Sequence, residues 1–163
     1  MPVGKNKIGI LGGSFDPAHK GHLALSKEAI KRFKLIKIIW AVTKKNPFKK
    51  TSKISLSNRV KYCKKIIGKN NIIKVKFYED VIKSNKTIDL INYLSKNKKN
   101  EIFFLMGADN LVSFHKWYKW KIISQKCNII VFDRFGYKKK SLNSMTFKSL
   151  SEKNLKFIEF DKV

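Results

Sequence analysis

The 163-residue chain is predicted to form a single α/β domain, a doubly wound parallel sheet with helices on both faces. Three observations lead there. Short apolar runs alternate with segments of helical period along the whole chain, as successive βα units require. The first of these runs ends in two glycines that lead straight into a helix. A length near that of one domain, with 43% hydrophobic and 12% aromatic residues, suits one buried core.

Taken in order, the predicted strands are residues 7–11, 36–42, 72–77, 101–106, 128–132 and 155–160. After the first strand a helix resumes at about Gly21, with Leu23, Ala29, Ile30 and Phe33 on its buried side. In 55–67 the residues Leu56, Val60, Cys63 and Ile67 fall at i, i+4, i+7 and i+11, one stripe of a helix whose other face carries Asn58, Lys61 and Lys65. The stretch 87–96 repeats the pattern through Leu90, Ile91 and Leu94, with Thr87 as its expected N-cap. Residues 43–53 and 137–151 lack any period and are rich in Lys, Ser and Asn, so they read as exposed loops. No internal repeat or domain boundary is visible.

The formal net charge is +26, which raises the prospect of a polyanionic partner. Only Arg32, Arg59 and Arg134 among the 37 basic residues are arginines, however, and the lysines are scattered evenly among Ile and Asn. Readers of nucleic acid favour the planar, bidentate guanidinium, so nucleic acid is not the expected partner. A positive field still speeds the arrival of small anions. Cys63 and Cys127 fall in separate apolar stretches that read as core, which argues against a disulfide framework or a cysteine-rich metal site. No window approaches the roughly 18 apolar residues of a membrane span, and the default compartment is the cytoplasm.

Chemistry concentrates in Gly12-Gly13-Ser14-Phe15-Asp16-Pro17-Ala18-His19-Lys20-Gly21-His22. A strand, a glycine turn and a helix N-terminus in that order suit a phosphate group: the glycines admit close approach, successive N–H groups can point inward, and the helix dipole presents its positive end. The segment is neither Gly-x-Gly-x-x-Gly nor a P-loop. A histidine pair comes after the turn, and two imidazoles three residues apart can donate to phosphate oxygens or, protonated, counter charge on a leaving pyrophosphate. The bland reading is a pair of surface histidines or an i, i+3 metal pair; no third soft ligand accompanies them.

Gly-Ser-Phe-Asp-Pro-Ala-His-Lys-Gly-His resembles the signature of the nucleotidyltransferase superfamily that shares His-x-Gly-His with class I aminoacyl-tRNA synthetases, and so implies its Rossmann-like fold. Four later stretches are similar to the bacterial nicotinate-mononucleotide adenylyltransferase family: Gly107-Ala108-Asp109, the aromatic run from Phe114 to Trp120, Thr87-Ile88-Asp89-Leu90, and Val131-Phe132-Asp133-Arg134. The resemblance spans residues 7 to about 136. It implies adenylyl transfer from ATP to nicotinate mononucleotide with Mg²⁺, and no protein-held metal. It places Gly12, Gly13, Ser14, Phe15, His19 and His22 at ATP, with His19, His22 and Lys49 as catalytic groups. It places Thr87, Asp109, Trp117, Tyr118 and Arg134 at the acceptor. The chemistry of those residues agrees: Trp117 offers a flat face for a pyridine, the helix start at Thr87 and the turn at Tyr118 offer N–H groups to a carboxylate, and Asp109 suits a ribose hydroxyl or a metal-bound water.

Two departures stand out. Phe48 occupies the place of the family's usual histidine in the loop 44–49, and the chain ends before the family's Ile-Ser-Ser-Thr-x-x-Arg stretch and last helix. The expectation is thus one nucleotidyltransferase domain over 1–163 without that stretch. Transfer to nicotinamide mononucleotide or phosphopantetheine, a nucleotide sensor without turnover, and a basic nucleic-acid module remain as alternatives.

Overall fold

The computed structural model describes residues 5–44, 54–107, 110, 114–133 and 155–159. Six strands, β1 (Asn6–Gly13), β2 (Lys37–Val42), β3 (Ile73–Lys76), β4 (Asn100–Gly107), β5 (Asn128–Asp133) and β6 (Leu155–Glu159), form one sheet in the order β3-β2-β1-β4-β5-β6. Every neighbouring pair is parallel. Parallel strands need long crossovers, and helices supply them: α1 (Lys20–Phe33), α2 (Leu56–Ile67), the short α3 (Glu79–Ile82), α4 (Thr87–Ser95) and, after a 3₁₀ turn at Phe114–Lys116, α5 (Trp120–Lys126). All six predicted strands are present, each within two residues of its expected bounds.

Alternation along each strand divides the core into two layers. Leu11, Ile38, Trp40, Phe103, Leu105 and Phe132 face α1 and α2, meeting Leu25, Ala29, Cys63 and Ile67. Ile8, Ile10, Ile39, Phe104, Met106 and Val131 face the other way, meeting Ile88 and Ile91 of α4 and Ile123 of α5. Strands buried on both faces explain the continuous apolar runs in the sequence. Gly9 is set by packing, because a Cβ there would stand 2.9 Å from Leu35 Cδ1 and 3.0 Å from Ile38 Cγ1.

Helix ends follow local chemistry. The Ser55 side chain caps α2 by accepting the Asn58 N–H, and the φ of +63° at Gly68, just beyond its last turn, is one that glycine adopts without strain. α4 differs from expectation. Thr87 is the first helical residue rather than the cap; Lys86 holds the cap position and no side chain caps the helix. Order comes instead from Ser84, whose hydroxyl accepts the Lys86 N–H and donates to the Asp89 carboxylate. A local Ser-to-Asp bridge has thus replaced the threonine's expected role.

Because β1 has the first crossover on one side and β4 on the other, the chain reverses direction across the sheet between these two strands. Their carboxyl ends splay their loops apart there, opening the crevice in which such sheets take ligands. Among the described residues no helix is long and apolar enough to cross a membrane.

Cys63 and Cys127 are buried and free, as their apolar settings suggested. Burial pushes the Cys127 thiol up to about 12 and the Cys63 thiol up to about 11, the latter against the downward pull of Arg59. The thiolate is the reactive form, so a disulfide reagent at pH 8 is expected to modify neither residue in the native protein and both after unfolding in guanidinium. Rapid native modification would show that these helices open readily.

Candidate active site

Gly12 and Gly13 end β1 at the crevice. A Cβ on Gly12 would find only Phe104 Cζ at 3.8 Å, and one on Gly13 only Phe15 atoms from 3.7 Å. The protein itself therefore does not exclude a side chain at either position. The space belongs to two adjoining cavities. A smaller one of about 80 Å³ is lined by Gly12, His22, Gly107 and Trp117, among others. A larger one of about 370 Å³ runs from Gly12, Gly13 and Ser14 past Thr43 and Glu79 to Lys86, Thr87, Trp117 and Tyr118. Gly12, Phe104, Asn110 and Trp117 line both and join them.

His19 is the N-cap of α1, and its pairing with His22 is reciprocal. His19 Nδ1 accepts the Gly21 N–H at 3.0 Å, while His22 Nδ1 accepts the His19 N–H at 3.0 Å. This is a capping box built from histidine where serine and glutamate are usual. Since a backbone N–H can only donate, both Nδ1 atoms are acceptors and each neutral ring carries its proton on Nε2. The rings lie 3.9 Å apart between centroids. A protonated pair, one of the two expected forms, would forfeit both caps, so the neutral Nε2–H donor is the form this geometry supports.

Behind His22 stands an aromatic wall. Phe15, in the left-handed region at φ +51°, turns its ring into the core and stacks on Trp40 at 5.1 Å; the His22 ring packs on Phe15 at 4.9 Å. The Trp40 indole N–H donates to Ser26 Oγ at 2.9 Å, and that hydroxyl donates to the His22 carbonyl at 2.8 Å. Phe15 is 3% exposed, so what it can offer a nucleotide is its backbone rather than its ring.

Arg59 of α2 is 2% exposed and spends its guanidinium on main-chain carbonyls. Nη1 donates to Ser14 O and Thr43 O, each at 2.7 Å, Nη2 to Lys44 O at 2.8 Å, and Nε to Ile54 O at 3.0 Å. The expected glycine turn is instead the extended end of β1, where Gly12 and Gly13 pair with Ala41 and Val42, and Arg59 ties the ends of β1 and β2 and the start of α2 behind it.

At the other wall of the larger cavity, Trp117 is held edge-on by Phe104 at 5.8 Å and Phe114 at 5.0 Å, and its indole nitrogen is buried with no hydrogen-bond partner among the described residues. Tyr118 is 56% exposed, with the Lys86 and Lys119 ammonium groups 6.0 and 5.4 Å from its ring centroid. Glu79 accepts the Lys44 N–H at 3.1 Å, and burial raises its carboxyl above the ordinary range.

The structure therefore brings Gly12, Gly13, Ser14, Thr87, Trp117 and Tyr118 to one cavity and His22 to its neighbour, with His19 reached through His22. Lys49, Asp109 and Arg134 lie outside the described residues. Sequence reasoning passed over Ser26, Trp40, Glu79 and Lys86. Ser26 alone left a trace, as a small polar residue on the buried side of α1.

A family model described as cytidylyltransferase-like matches residues 10–157, which makes the chain a nucleotidyltransferase by fold and by glycine-histidine site. A Pelagibacter ubique (strain HTCC1062) protein named "Probable nicotinate-nucleotide adenylyltransferase" is 67% identical over 159 residues, 98% of this chain and 88% of that relative. A Bradyrhizobium sp. (strain ORS 278) protein of the same name is 37% identical over 147 residues, 89% of this chain and 76% of the relative. The chain belongs to the nicotinate-nucleotide adenylyltransferase family. Its fold matches the Plasmodium falciparum nicotinic acid mononucleotide adenylyltransferase complexed with NaAD, at TM-score 0.78 and 20% identity over 97% of this chain and 77% of that one.

The geometry can be tested at two residues. Arg59→Met is expected to destabilise the fold by about 3 kcal/mol in chemical denaturation, since it strands several carbonyls at once; a loss below about 1 kcal/mol would mean those bonds are not held in solution. Gly12→Ala is expected to shift the thermal midpoint by no more than about 2 °C while weakening triphosphate binding at least about tenfold. Unchanged nucleotide affinity would remove Gly12 from the site.

Proposed function

We infer that the chain transfers the adenylyl group of ATP to nicotinate mononucleotide, giving nicotinate adenine dinucleotide and pyrophosphate. The observation that carries the reading is the pair of adjoining cavities at the carboxyl ends of β1 and β4, the smaller bordered by Gly12, His22 and Trp117, the larger by Gly12, Gly13, Trp117 and Tyr118. Membership in the family supports the same acceptor.

A 5′-phosphate oxygen of the mononucleotide attacks the α-phosphorus of ATP in line. The bond from that phosphorus to the bridging oxygen breaks, and pyrophosphate leaves with the electron pair. No covalent enzyme intermediate is needed, so positioning and charge stabilisation do the catalysis. In this proposal His19 and His22 present Nε2–H donors to the phosphate oxygens that gain charge, and the Gly12–Gly13 end of β1 allows close approach of the phosphate chain. Lys49 assists at the phosphates. Trp117 stacks on the pyridine, and N–H groups near Thr87 and Tyr118 meet its carboxylate. Asp109 and Arg134 complete the acceptor side as positions to test.

A divalent metal suits this class of enzyme, and we assign it as Mg²⁺. Among the described residues no group of three or more His, Cys, Asp or Glu side chains can hold an ion. Mg²⁺ at nucleotide sites is ordinarily carried on phosphate oxygens and water, and Ser14 and Thr43 at the cavity wall suit such water. When bound it neutralises charge on the polyphosphate.

Pyrophosphate release with ATP and nicotinate mononucleotide is the direct test. His22→Ala is expected to lower kcat by about a hundredfold or more, the scale for loss of one preorganised donor. Near-full turnover in that variant would remove His22 from the chemistry.

A further inference from the structure

The wall of the larger cavity is unequal in charge. Among its described lining residues Lys86 and Lys116 contribute ammonium groups, and Glu79 contributes the one carboxylate. Glu79 already accepts the Lys44 N–H, and its burial disfavours the charged form. An anion entering this cavity therefore meets net positive charge.

The two lysines are placed differently. Lys86 belongs to the loop before α4, yet its Nζ lies 6.0 Å from the Tyr118 ring centroid, so the side chain spans from the α4 side of the cavity to the Trp117–Tyr118 side. The ring face attracts the ammonium and limits its wandering. The acidic residue nearest along the chain, Asp89, accepts from Ser84. Next to Tyr118, the Trp117 ring is fixed by Phe104 and Phe114. A flat wall and a restrained cation thus border the same space.

We propose that Lys86 is a specificity-determining residue that selects an acceptor whose pyridine ring carries a carboxylate. This rests on the acceptor reading given above and names a side chain for its discrimination. The ring stacks on Trp117 in either acceptor, but only the carboxylate of nicotinate gains the charge-assisted bond to Nζ. An amide keeps the stack and loses the ion pair. Lys86 therefore sets the preference between acid and amide rather than the affinity for pyridine nucleotides in general.

The test is equilibrium binding of nicotinate mononucleotide and nicotinamide mononucleotide to the full chain, alongside pyrophosphate release with each. Lys86→Met is expected to weaken the acid about tenfold and the amide less than about twofold. Lys86→Arg, which keeps the charge, is expected to retain most of the preference, and Lys116→Met to shift both ligands together. Equal losses for the two ligands in Lys86→Met, or no loss for either, would overturn the proposal. If binding follows the expected pattern but the wild type releases no pyrophosphate with either acceptor, the adenylyl-transfer reading fails and the role of Lys86 stands. If turnover is present and the acid-to-amide ratio ignores Lys86, the reverse holds.

Discussion

A buried guanidinium bonded to main-chain carbonyls holds the site in shape. Where parallel strands end, their last carbonyls lose their neighbours, and the loops that leave them diverge to make room for a ligand. Those carbonyls still need donors. Arg59 supplies them from behind, bonding Ser14, Thr43, Lys44 and Ile54 with a rigid fork of N–H groups. Lysine has a single nitrogen and cannot reach carbonyls spread over three segments. The cost of burying the charge is met by four well-formed bonds, and the cavity side of Gly12 and Gly13 is left open.

The rest of the site hangs from this tie. Ser14 is fixed through its carbonyl, and Phe15, next in the chain, is fixed by its stack on Trp40. Trp40 in turn holds Ser26, and Ser26 the His22 carbonyl. The histidines thus project from a helix start braced by the core layer facing α1 and α2, while Trp117 is braced by the opposite layer through Phe104 and Phe114. The histidine pair and Trp117 are anchored on different faces of one sheet, and the cavities lie at the strand ends between them.

How much of this could be read beforehand depended on distance along the chain. Strands and helices are short-range patterns, and the six strands and the helical stripe through Cys63 and Ile67 were legible from spacing alone. The two glycines and the histidine pair were legible because they are contiguous. Arg59 was visible as a basic residue on a helix, at a position where the resembled family also tends to have arginine, but not its partners, since its bonds to Ser14 and Thr43 cross 45 and 16 residues. Trp40 looked like any aromatic in an apolar strand, and its bond to Ser26 crosses 14. Lys86 was one lysine among many, distinguished only by the fold that carries it to Tyr118. The expected cap at Thr87 failed for the opposite reason: a competing local bridge, Ser84 to Asp89, was equally available to the backbone.

The histidine capping box makes the start of α1 and the proposed phosphate site a single object. Serine or aspartate at residue 19 would cap a helix at least as well, but neither would present a ring nitrogen on its far side. Using imidazole for both tasks ties them to one proton inventory. A proton that binds at Nδ1 of either ring must evict a backbone N–H, so acid competes with the helix itself for the same lone pair. Whatever loosens the first turn of α1 therefore also turns the two rings from the aim that their Nδ1 bonds give them.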